Sequence, residues 1–250
     1  METCIHFHKL EAVLPLTFSC AICGMRKICM PAISPPEMLT KLDEIISLRK
    51  KIKAGTALYH PGDNFQAIYA VKTGFFKAEE VHEDGRMQIT GFYMMGEIFG
   101  FDGIDTNQYK STVIALEDSE VCVIPFDQIE ELTHEHIDLK HHFSKLMSRE
   151  IILNHDIMMF LGSMTAEERM AAFILNLSER YHARGFSRFN FTLRMKREEI
   201  GSYLGLKFET VSRILSKFHE EGVLEVHGKS IRILDMQALI LKFGLNHDST

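Results

Sequence analysis

No apolar run in the 250 residues approaches the ~20 needed to cross a bilayer, and the N-terminus lacks a basic-then-apolar leader. No membrane partner is therefore expected, and the cytosol is the expected compartment, where reducing conditions keep thiols available for metal. There is no G-x-G-x-x-G fingerprint and no His/Asp/Ser constellation, so an enzyme or flavin-type electron carrier is disfavoured. Cysteine is sparse, and its count of five is odd. A disulfide framework is disfavoured too, since a chain of this length can build a core without staples.

The distribution of those cysteines is informative. Three lie in ten residues, Cys20-Ala-Ile-Cys23-Gly-Met-Arg-Lys-Ile-Cys29, with the pattern C-x2-C-x5-C. A fourth, Cys122, stands far along the chain in the apolar segment Val121-Cys122-Val123-Ile124. Thiolates crowded in a short glycine-containing loop suit a soft metal centre, because the bends let several sulfurs converge. Four cysteines can ligate a structural zinc or an iron–sulfur cluster, and spacing alone does not separate the two. Cys4 and Cys122 also fit the role of small buried hydrophobes. Thirteen histidines are present, but His134, His136, His141 and His142 fall around the polar start of a helix and are expected at the surface.

With 46% hydrophobic and 25% charged residues, the chain reads as globular, with one to three domains. The net charge of −6 is unevenly spread. From Met164 onward, 13 Lys+Arg stand against 11 Asp+Glu, while the earlier part carries 15 against 23. Between Arg180 and Lys217, nine basic residues face three acidic ones. A basic patch on an acidic chain is the footprint of localised polyanion binding.

In order, residues 1–35 read as a loop rich in Cys and Pro, and Pro36 opens a short helix through Ile46. From Lys51 to Phe126 short β-rich runs alternate with Pro61-Gly62-Asp63, Thr73-Gly74, Asp84-Gly85 and Met95-Gly96, which predicts a barrel or jelly roll. One long helix follows, from about Ile137 to Leu161, with two apolar stripes. Leu139, Phe143, Leu146, Leu153, Ile157 and Phe160 form the first. Met147, Ile151, Asn154, Met158 and Leu161 belong to the second. A helix apolar on two adjoining faces must be covered on both. One face can rest on the strands; the second is either buried in the same chain or paired with its twin in a homodimer.

Thr165-Ala-Glu-Glu168 is a capping box that opens the next helix, to about His182. A short strand (Phe189–Leu193), helices over 196–204 and 207–221 joined at Gly205-Leu206, and a hairpin over 223–234 complete a winged helix-turn-helix plan. In its second helix Val211, Ile214, Leu215 and Phe218 take the buried side. Glu209, Ser212 and Arg213 share the other face near the N-terminus. Arg can bind guanine bidentately, Glu can accept from the cytosine amino group, and Ser can read either partner. Lys217 and Arg197 suit phosphate contacts that set register. Double-stranded DNA is the expected partner.

These parts together resemble the CRP/FNR superfamily of bacterial transcription factors. That resemblance implies an α+β chain with an N-terminal β-roll (jelly-roll-like) sensor domain, a long dimerisation helix and a C-terminal winged helix-turn-helix. The corresponding segments are 1–35 (cysteine-rich), 36–136, 137–163 and 164–250. Gly91-Phe-Tyr-Met-Met-Gly-Glu-Ile-Phe-Gly-Phe-Asp-Gly-Ile104 and Glu209-Thr-Val-Ser-Arg213 look like the FNR branch. The resemblance then implies a [4Fe–4S] cluster on Cys20, Cys23, Cys29 and Cys122, with Cys4 outside the set. It also implies a TTGAT-N4-ATCAA-type site contacted by Glu209, Ser212 and Arg213, and oxygen-responsive control of anaerobic metabolism genes. The hairpin around Asp84-Gly85, which here includes Arg86, is similar to the surface by which relatives contact RNA polymerase. The alternative within the same plan is a regulator with a structural metal, or one that senses nitric oxide or redox state.

Two departures carry expectations. The cyclic-AMP branch follows its Gly-Glu turn with an arginine and a small hydroxyl residue. Gly96-Glu97 is followed instead by Phe99, Gly100 and Phe101, so no cyclic nucleotide is expected. Asn154 stands on the pairing stripe where an acidic residue could add repulsion, which predicts looser coupling of dimerisation to the cluster.

Overall fold

The computed structural model describes residues 19–26, 28–29, 36–46, 48–82 and 84–244. Cys4, Lys27, Met30 and most of the segment 1–35 lie outside them. The first helix, α1 (Pro36–Ile45), buries Met38, Leu39 and Leu42.

Eight strands follow: β1 (Arg49–Ile52), β2 (Ala57–Tyr59), β3 (Ala67–Thr73), β4 (Phe75–Val81), β5 (Met87–Met94), β6 (Ile98–Phe99), β7 (Thr112–Ala115) and β8 (Ser119–Pro125). They form two antiparallel sheets ordered β1-β8-β3-β6 and β2-β7-β4-β5. Phe76, Phe99, Tyr59, Tyr109, Val113 and Val121 fill the roll between them. The expected hairpin at Asp84-Gly85 is present, with Val81 paired to Met87 and the Asp84 carboxylate accepting from Arg86 N–H at 3.1 Å.

Residues 126–135, where no element is expected from the sequence, form α2 (Phe126–Glu135), which buries Ile129 and Leu132. With only two anchors three residues apart, its apolar stripe is too short to announce a helix. The expected long helix is present as α3 (Ile137–Ser163). Its first half rests on the roll: Leu139 is buried, and Phe143 and Leu146 pack against Ile68, Ile98, Ile124 and Ile129. His142 corrects the surface expectation for the histidines. It is only 4% exposed, because it lies one turn beyond Leu139 on the inward face. The second half differs. Ile151 and Met158 are 55% and 62% exposed, and Ile152, Leu153 and Met159 are exposed beside them. Leu161, expected on the pairing stripe, is half-buried within the chain; its Cδ2 would lie 3.1 Å from a Cβ at Gly205.

The C-terminal part runs α4 (Ala166–Ala183), β9 (Asn190–Thr192), α5 (Arg197–Leu204), α6 (Phe208–Glu220), β10 (Leu224–His227), β11 (Ser230–Ile233) and α7 (Met236–Lys242). The capping box is formed, with Thr165 Oγ1 accepting from Glu168 N–H and Glu168 accepting from Thr165 N–H. Strands β10-β11-β9 make the wing sheet. Its core does not stop at the domain edge: Phe75, Ile89, Phe92 and Met94 of β4 and β5 join Phe173, Leu204, Leu215 and Phe218 in one cluster. No helix among the described residues is long and apolar enough to cross a membrane.

Candidate metal centre and nucleic-acid interface

The cysteine loop is built from short-range bonds and pinned by long-range ones. A 3-10 turn over Cys20–Ile22 is capped by Ser19, whose hydroxyl accepts from Ala21 N–H at 3.0 Å. Asp43 of α1 then accepts from the Ser19 hydroxyl, and from Cys20 N–H at 2.5 Å. Arg26 N–H bonds Cys23 O at 2.9 Å and Cys29 N–H bonds Met25 O at 2.9 Å, which folds the second half back on the first. Cys122 sits in the inner strand β8, opposite Arg49 of β1 and Ala70 of β3. Two residues beyond Ala70, Lys72 donates from Nζ to Cys23 Sγ at 3.3 Å.

The structure sets the loop carrying Cys20, Cys23 and Cys29 against the sheet that carries Cys122. All four thiols are free and half-buried, and Cys20, Cys29 and Cys122 pack on one apolar cluster. They also feel each other electrically. Burial pushes the Cys20 thiol well above its usual range, and the Asp43 carboxylate, Cys29 and Cys122 add to this. Burial raises Cys122 as well; Arg49 and Lys72 pull it back, while Cys23 and Glu120 push it up. A soft cation must displace those protons, after which it relieves the crowding of sulfur. Among the described residues, no three His, Cys, Asp or Glu side chains are gathered as the ligands of one metal ion. The predicted set is all sulfur.

The second constellation is the helix-turn-helix. Gly205 ends α5 in the left-handed region (φ 64°), and Leu206 N–H returns to Gly201 O at 2.8 Å. Glycine takes that conformation without Cβ strain, so the chain can reverse within two residues. The α6 helix then buries Val211, Ile214, Leu215 and Phe218 and leaves Glu209 and Arg213 exposed, with Ser212 half-exposed. Arg197 is half-exposed at the start of α5. Lys217 is engaged within the chain, with Nζ 2.6 Å from Glu167 and 3.9 Å from Glu221. Phe208, with no role expected from the sequence, opens α6 and is 47% exposed beside Glu209. Its three- and seven-residue spacing to Val211 and Leu215 continues the buried stripe, so no pattern marks it as exposed; an aromatic there can touch a thymine methyl.

Residues 49–136 match the family described as a cyclic nucleotide-binding domain, and residues 168–241 the Crp-like helix-turn-helix domain. The chain is 42% identical to the transcriptional regulatory protein btr of Bordetella pertussis, over 88% of this chain and 91% of that one. It is 41% identical to the transcriptional activator protein FnrA of Stutzerimonas stutzeri, over 90% and 92%. The fumarate and nitrate reduction regulatory protein of Yersinia pestis is 42% identical over 88% of each. This chain belongs to the CRP/FNR family. Among solved structures, FixK2 from Bradyrhizobium japonicum superposes with a TM-score of 0.72 at 27% identity, covering 81% of this chain and 98% of that one. The family's members are transcription regulators and not enzymes, and the α+β plan of β-roll, long helix and winged helix is theirs.

Within this family member, a cleft of about 550 Å³ lies between the roll and α3. Tyr59, Tyr93, Phe99 and Phe101 supply aromatic walls, Glu80, Asp102, Asp105 and Glu150 supply carboxylates, and no Lys or Arg lines it among the described residues.

Proposed function

We propose that the chain is an oxygen-responsive transcription regulator whose Cys20, Cys23, Cys29 and Cys122 hold a [4Fe–4S] cluster. In this reading residues 36–136 form the sensor, 137–163 the dimerisation helix and 164–250 the DNA reader. The observation that carries it is the packing of Cys20 and Cys29 of the loop on the same apolar cluster as Cys122 of the distant strand, in a relative of regulators named for anaerobic control. A structural zinc would need all four sulfurs at about 2.3 Å from one atom, whereas a cluster spreads them over several irons; the kinship to regulators named for anaerobic control favours the cluster. Bound there, the cluster would supply an oxygen-labile link between the N-terminal loop and β8.

The rest falls to the chain's own residues. Asp43 anchors the start of the loop to α1, and Lys72 holds Cys23 against β3. The loop and the first half of α3 share one apolar cluster, so ordering the loop steadies that helix. Met147, Ile151, Asn154 and Met158 are then the pairing face toward a second copy. A homodimer sets two α6 helices about one DNA turn (~34 Å) apart, over the two halves of a TTGAT-N4-ATCAA-type site. Glu209, Ser212 and Arg213 read bases there; Arg197 holds phosphate, and Lys217 joins it once released from Glu167. RNA polymerase is the expected further partner, through the hairpin that carries Arg86. In the cleft between the roll and α3 a cyclic nucleotide is disfavoured, since its phosphate would meet four carboxylates and no lining cation there.

One anaerobic preparation tests the reading. Iron and inorganic sulfide in about equal amounts, a dimer, and tight binding to the two-fold duplex are expected, with all three lost after air. Zinc without sulfide, or oligomer size and DNA affinity unchanged by air, would remove the sensor.

A further inference from the structure

The turn between β5 and β6 touches both constellations at once. On one side it carries the cysteine loop. Gly96 (φ +84°) lies so close to that loop that a Cβ there would stand 3.3 Å from Met25 Cβ and 3.4 Å from Ile28 Cβ. Gly96 N–H bonds Val71 O at 2.8 Å and Val71 N–H bonds Glu97 O at 2.9 Å, tying the turn to β3 one residue before Lys72, which holds Cys23.

On the other side the turn grips α4. Glu97 accepts from Arg180 Nε at 2.9 Å, Arg180 Nη2 at 2.5 Å and Arg184 Nη2 at 2.6 Å, as well as from Met94 N–H at 2.9 Å. Arg184 adds a bond from Nε to Met95 O at 2.5 Å, and Arg180 one from Nη2 to Phe92 O at 2.6 Å. The Arg184 side chain is 3% exposed, so this is an enclosed charge pair rather than a surface one. Planar guanidinium forks fix direction as well as distance.

We propose that Met95-Gly96-Glu97 is a relay inside one subunit: it fixes the pose of the DNA-reading domain according to the order of the cysteine loop, independently of pairing. Glu97, Arg180 and Arg184 are positioning residues. They touch neither the thiols nor the exposed face of α6, and the gripped pose leaves Glu209 and Arg213 open to a duplex. Coupling between two sites is reciprocal, so loosening the grip on α4 must loosen the cysteine loop. This rests on the reading that the loop is the sensing element, but its test needs neither iron nor DNA.

The test is the rate at which iodoacetamide alkylates Cys20, Cys23 and Cys29 in the reduced, metal-free full chain. Arg184→Gln and, separately, Glu97→Gln (which keeps an acceptor for Met94 N–H) are each expected to speed alkylation about five-fold or more. Arg169→Gln is the control. Arg169 bonds Met164 O and Leu204 O within the DNA-reading part and not the turn, so general loosening would show there as well. Its rate is expected to stay at the parent's. Parent-like rates in both relay variants, or equal acceleration in Arg169→Gln, overturn the relay. Loss of the sensor reading would show instead as absent iron in the parent.

Discussion

The DNA-reading part and the second half of α3 both carry dense apolar stripes, yet only one of them is covered. In α6, Val211, Ile214, Leu215 and Phe218 close against α4, α5 and the wing. In α3, Ile151, Ile152, Met158 and Met159 are left more than half exposed. The pattern of apolar residues says that a face must be buried; it does not say by whom. A single copy completes the reader but leaves the long helix unfinished, and this makes a second copy the natural cover.

The sharpest break in that contrast is a pair of truncations. Phe218→Ala removes a fully buried ring and should cost about 3–5 kcal/mol, read as an earlier unfolding transition in denaturant. Ile151→Ala should stay within about 0.5 kcal/mol in dilute monomer, as exposed sites do. At concentrations where the parent pairs, the same change should weaken self-association by about 1–2 kcal/mol, measured by sedimentation. Silence at both concentrations would mean that the exposed half of α3 is not the pairing face.

How much of this could be read from residues alone follows the same divide. Local chemistry was legible: the Thr165/Glu168 box, the Gly205 turn, the Asp84-Gly85 hairpin and the buried face of α6 are all where their residue types require. Cys20, Cys23 and Cys29 stand out as a group because cysteine is rare and these three share ten residues, whereas adding Cys122 and leaving out Cys4 depends on the family resemblance. Contacts between polar groups far apart in sequence were not legible. Glu97 meets Arg180 and Arg184 across 83 and 87 positions, and Lys72 meets Cys23 across 49; no periodicity encodes such meetings. His142 differs from expectation for a related reason: it stands among Lys140, His141 and Ser144, but Leu139 one turn back is buried and carries it onto the covered side of α3.

A smaller effect sharpens the contrast from within α3. Glu150 lies where the helix still touches the roll, accepting from the Tyr93 hydroxyl at 3.0 Å. Burial raises its carboxyl above the ordinary 4.5; the Tyr93 bond and Arg180 oppose this, while Glu97 and Asp102 reinforce it. A raised carboxyl binds its proton more tightly folded than unfolded, so stability falls as pH rises through the folded value. Below the ordinary value both states are protonated and that penalty is absent. Glu150→Gln should therefore be more stable than the parent at neutral pH, with the gap closing on acidification. Paired thermal melts across pH 4 to 8 would show this, and a gap that widens toward acid would contradict it.

The smallest effect tests the boundary between the two regions. Thr165 stops α3 and starts α4, because its hydroxyl takes up the Glu168 N–H that would otherwise be an orphan of the new helix. Thr165→Ala removes that acceptor and should cost about 1 kcal/mol. The loss should appear as faster amide exchange in the first turn of α4, at Glu167, Glu168 and Arg169, with the core of α6 unchanged. Faster exchange spreading back into Ile151–Met158 would show that the covered and uncovered regions unfold as one unit, and the contrast drawn between them would be geometric only.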